Sequence, residues 1–123
     1  MKKLALAAFL VVLPVTALHA MTVAAFLQKA DALEKRGALA LFSSDFRVLK
    51  AEVKGASEAL RGERLAAQRA GRRPAYCPPQ QGGGLGVEEI LTHLRAIPAA
   101  QRPRMEVRDG LRTLLARKFP CPA

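Results

Sequence analysis

The residues with the clearest chemistry are two cysteines. Cys77 lies in "AYCPPQQGGGLGVEEI" (Ala75–Ile90) and Cys121 in the closing "KFPCPA", each beside proline. In an oxidising compartment two thiols in a small domain form a covalent staple. Closing a loop of about 45 residues would contribute roughly 4 kcal/mol in the chain-entropy model. Two free thiols, or a bridge between chains, are the alternatives.

Other reactive side chains do not assemble into a catalytic set. His93 is the one histidine outside the N-terminal 20 residues, and a structural zinc site takes four Cys or His ligands. Asp31 and Glu34 stand one helical turn apart and could share acid/base work. Followed at once by Lys35 and Arg36, they read as a solvated face. Ser43, Ser44 and Ser57 lack the strand-turn-helix setting of a nucleophile elbow. "GGGLG" has neither a strand before it nor a Lys-Ser or Lys-Thr after it, so it reads as a flexible hinge and not as a phosphate loop. The expectation is a binding or structural protein, not an enzyme, with no metal and no cofactor.

The formal net charge is +10. Arg61, Arg64, Arg69, Arg72 and Arg73 cluster before the hinge, and Arg102, Arg104, Arg108, Arg112, Arg117 and Lys118 near the C-terminus. Arg104, Arg108 and Arg112 recur every fourth residue, which would line them along one side of a last helix or its entry. With Arg72 and Arg73 they are the candidate anion-binding or partner-binding residues. Nucleic acid would be the first partner to consider in the cytoplasm. Expected export, and the lack of an aromatic platform beside the arginines, set it aside. The remaining anions are lipid head groups, lipopolysaccharide phosphates, cell-wall polymers and acidic proteins, and the bland alternative is a solubilising arginine-rich surface.

Export is expected from "MKKLALAAFLVVLPVTALHA". Lys2 and Lys3 form a positive start, Leu4–Val15 an apolar run, and small residues lead to Ala20. The run is about 12 residues, short of the roughly 20 needed to span a bilayer, so removal is expected rather than membrane anchoring. Cleavage after Ala20 puts alanine at −1 but Leu18 at −3; the alternative site follows Ala25, with Val23 at −3. Residues 1–20 are thus a signal peptide and 21–123 a single small periplasmic domain.

Four helices would position these residues. Thr22 can cap a first helix carrying Val23, Phe26, Leu27, Ala30 and Leu33 at helical spacing, with Gly37 as its stop. After a short apolar link, "ALALF", Ser43 or Ser44 can cap a long helix from Asp45 to Ala70. Its seam is Phe46, Leu49, Val53, Ala56 and Leu60, and Gly55 and Gly62 weaken its second half. Residues 21–71 are then a first half, 72–86 a Pro/Gly hinge and 87–123 a second half. A third helix runs from Val87 to Ile97 and stops at Pro98. It starts with Glu88 and Glu89, where the macrodipole favours negative charge. A fourth, from about Glu106 to Lys118, buries Val107, Leu111, Leu114 and Leu115. No stretch alternates as a strand, and the fold class is all-α: a small four-helix domain stapled by one disulfide.

The C-terminal half resembles the Rap/Tai family of immunity proteins associated with type VI secretion. The residues that carry the resemblance are "YCPP" (Tyr76–Pro79), "GVEEILTHLRAIP" (Gly86–Pro98) and "LRTLLARKFPC" (Leu111–Cys121). It implies a small exported α-helical protein that binds and blocks a cell-wall-degrading amidase or related toxin, often as a homodimer. It also implies that Cys77 pairs with Cys121, with Phe119 and Pro120 packing beside the bridge. The functional expectation is an immunity-type inhibitor. The alternative is an envelope housekeeping or chaperone-like protein that uses its arginines on anionic polymers.

Overall fold

The computed structural model describes residues 20–123. Apart from Ala20, which is exposed, the expected signal peptide lies outside the described residues. Helix α1 spans Val23–Arg36. Thr22 caps it, its Oγ1 accepting from the Ala25 N–H at 3.1 Å. Val23, Phe26, Leu27, Ala30 and Leu33 form its buried stripe, and Gly37 ends it at φ 65°, in the left-handed region that glycine enters without a Cβ penalty.

The apolar link is itself helical: Gly37–Phe42 is a 3-10 helix that buries only Ala40. Ser43 joins it to the next element, donating its hydroxyl to Ala40 O at 2.8 Å while Oγ accepts from Phe46 N at 3.2 Å. Helix α2 spans Ser44–Arg69 and runs unbroken through Gly55 and Gly62. It ends in a Schellman motif, with Gly71 at φ 67°, its N–H on Gln68 O and the Arg72 N–H on Ala67 O.

Residues 72–86 form no regular helix, but their first part is fixed. Tyr76 is buried, with the Arg64 guanidinium 5.6 Å from its ring centroid, and the Cys77 N–H donates to Phe119 O at 2.8 Å. Helix α3 spans Val87–Ala96, one residue short of the expected Ile97. Arg102 then donates to Ile97 O and Arg95 O, satisfying carbonyls left over at the helix end. A second 3-10 turn, Arg102–Arg104, leads to α4, Val107–Lys118.

Val23, Leu60, Leu94, Val107 and Leu111 are the most deeply buried side chains. They come from all four helices, so one core holds both halves of the chain. A short antiparallel bridge between Thr22 and Glu106 ties the two helix entries together: Val23 N donates to Met105 O, and Val107 N to Met21 O. There is no strand among the described residues.

Candidate functional site

The two cysteines meet. Cys77 and Cys121 form a disulfide whose Cα atoms are 4.9 Å apart, across 44 residues of sequence. The bridge joins the segment after α2 to the segment after α4. Arg73 reinforces the joint, its guanidinium donating to Cys121 O at 2.8 Å and Pro122 O at 2.9 Å. Phe119 packs on the core beside it, whereas Pro120 is exposed.

The structure disperses the candidate arginines. Arg112 donates to Glu63 and Asp109, Arg108 pairs with Glu106, and Arg73 is held by the two carbonyls of the C-terminal segment. Arg104 lies on the 3-10 turn before α4, so the every-fourth-residue row is not carried by one helix. Arg72 and Arg104 are exposed and make no side-chain hydrogen bond among the described residues. Asp31 and Glu34, read from sequence as a solvated face, converge on Arg95 at 2.9 and 2.7 Å. Both carboxylates raise the Arg95 pKa, the hydrogen bond that Arg95 donates to Glu34 more than the one it donates to Asp31.

His93, on α3, faces α4 in a cleft that Glu89, Arg117 and Lys118 also line. Arg117 must donate, so His93 Nδ1 accepts from it at 3.2 Å, and Nε2–H donates to Thr113 Oγ1 at 2.8 Å. The Thr113 hydroxyl in turn donates to Gly110 O. Burial first, and the Arg117 charge second, push the His93 pKa down from its ordinary value. The imidazole is therefore a neutral bracket between two helices. Glu89 is held below the usual carboxylate range by its hydrogen bond from Lys118.

No family model, curated protein or solved structure matches the chain. Among the described residues no cluster of three His, Cys, Asp or Glu could hold a metal, and no helix is long and apolar enough to cross a membrane.

The feature missed in the sequence is an apolar groove of about 460 Å³. It is lined by Phe26, Ala30 and Leu33 from α1, by Phe46, Leu49 and Val53 from α2, and by Val87, Ile90 and Leu91 from α3, with Leu41 from the 3-10 helix. Glu34 and Lys50 are its only charged lining residues among the described residues. Val87 in that lining is 72% exposed, and on the 3-10 helix that supplies Leu41 two further apolar side chains stand in water, Leu39 at 77% and Phe42 at 82%. On a 3-10 helix residues three apart eclipse, so Leu39 and Phe42 share one side. The available signal was "ALALF" itself, an apolar run with a single buried residue.

Along the groove side of α2 runs a basic row. Arg47, Lys50 and Lys54 follow at spacings of three and four, all exposed, with Arg61 two turns further on. None is in an ion pair among the described residues, whereas Lys29, Arg95, Arg108, Arg112 and Lys118 all are.

Proposed function

We propose that this protein is an exported helical binding protein, and specifically an immunity-type inhibitor that covers the working surface of a periplasmic cell-wall-degrading toxin. The observation that carries the binding reading is the apolar groove, whose lining includes Leu41 and Val87, both largely exposed. A contiguous apolar surface left in water costs solubility unless something docks on it. Inhibition by coverage requires shape and rigidity in the inhibitor, not chemistry, and the Cys77–Cys121 bridge contributes rigidity. A structural disulfide of this kind belongs to oxidising compartments, which favours the periplasm. The sequence resemblance in the second half supplies the class of partner, and the positive charge speeds encounter with an acidic one.

The test is a titration. Oxidised protein beginning at Met21 is added to purified cell-wall hydrolases of the same host while peptidoglycan release is followed. Stoichiometric loss of activity against one of them is expected; full activity of every hydrolase at excess protein would overturn the immunity reading. The unpaired row on α2 also favours a second reading, binding to anionic envelope polymers. Such binding collapses with added salt, since exposed charges are screened within about 8 to 10 Å at physiological ionic strength.

A further inference from the structure

We infer that the groove among α1, α2 and α3 receives an acidic amphipathic helix of a protein partner. Its apolar face would lie on Leu33, Phe46 and Val53, and its carboxylates along Arg47, Lys50 and Lys54. The inference rests on the binding reading above and names what occupies that surface.

Three observations select this occupant. The groove lining is almost wholly apolar, which suits the i, i+3, i+4, i+7 anchors of an amphipathic helix lying in a groove between helices. The cations beside it are unspent, because Arg47, Lys50 and Lys54 have no carboxylate partner among the described residues, whereas Glu34, the acidic residue of the lining, is already paired with Arg95. Exposed apolar side chains also stand outside the lining, Leu39 and Phe42 on the 3-10 helix that supplies Leu41. A single acyl chain could fill the groove and would leave the cations of α2 without a partner, whereas an acidic helix brings both an apolar face and carboxylates. A second copy of this chain is disfavoured by charge, since each copy is strongly positive and would bring like charges together.

Photo-crosslinking in the native host tests this. A benzophenone amino acid replaces Phe42 or Val87 in the full chain, with Gln101, exposed in the turn after α3, as the control position. Mass spectrometry then reads the attached segment. Positions 42 and 87, but not 101, are expected to capture a segment with helical apolar spacing and net negative charge. The pair Lys50→Glu and Lys54→Glu should cut that yield by about fivefold or more without moving the thermal midpoint. Adducts between two copies, adducts to lipid alone, adducts to a neutral or basic segment, or no adduct above the control would each overturn the inference. An acidic-helix adduct from a protein that is no cell-wall hydrolase would refute immunity and leave the groove assignment standing. Stoichiometric inhibition of a hydrolase without such an adduct would do the reverse.

Discussion

A Cβ on Gly110 would stand 2.6 Å from Leu94 Cδ2, so α3 and α4 approach each other through a position that has no side chain. Leu94 is fully buried, so it can give way only by displacing packed neighbours. Gly110→Ala should therefore destabilise the fold by about 1 to 3 kcal/mol through overpacking, despite alanine's better helix propensity. Gly55 and Gly62 face open space, and alanine at either should stabilise α2 by up to about 1 kcal/mol. Urea midpoints compare the three, and a Gly110→Ala variant as stable as the other two would refute the close approach.

Reducing the Cys77–Cys121 bridge, or replacing both cysteines by serine, should cost about 2 to 4 kcal/mol. For a domain of this size that lowers the thermal midpoint by roughly 10 °C or more. Melting with and without reductant reads it, and identical curves would mean that the reduced chain is already held by its core.

The neutral His93 bracket gives stability a pH dependence of known sign. Its folded pKa lies below the ordinary 6.5, so the unfolded chain binds the proton more readily. Stability from this group is full above about pH 6.5 and is lost as pH falls through the folded value. Glu89, also depressed, loses its contribution only below its ordinary 4.5. Melting at pH 7.5 and pH 5.5 should show a drop that His93→Gln removes. A drop that persists in the variant would assign it to other groups.

The two expected cleavage sites have different structural consequences. A cut after Ala25 would delete Thr22, the cap of α1, and Val23, which is fully buried. A cut after Ala20 spares both and turns the Met21 nitrogen, 3.1 Å from Glu52 Oε1, into an ammonium facing a carboxylate. Intact mass of the exported protein should place its first residue at Met21. A first residue at Phe26 would refute the argument.

The helix ends were legible because their signals are local. Thr22, Ser43, Gly37 and Gly71 each act on backbone within a few residues, and the α2 seam repeats along one face. The bridge was legible because only two cysteines exist. The fate of the arginines was not. Arg112 meets Glu63 across 49 residues, and no spacing along the chain announces that pairing. The regular recurrence of Arg104, Arg108 and Arg112 drew attention away from Arg47, Lys50 and Lys54, which lie beside the groove. The groove itself is a gap among three helices. Phe46 and Val53 read correctly as part of the α2 seam, yet they line that gap and are only partly covered.

The position of the bridge also decides how the domain would carry a mechanical load. Tension applied between Met21 and Ala123 passes along α1 and α2 to Cys77, crosses the sulfur–sulfur bond to Cys121 and leaves through the last residues. Helices α3 and α4 lie inside the covalent loop and are shunted. A partner tugging on either end would strip α1 and α2 from the core while α3 and α4 stay slack within their closed ring.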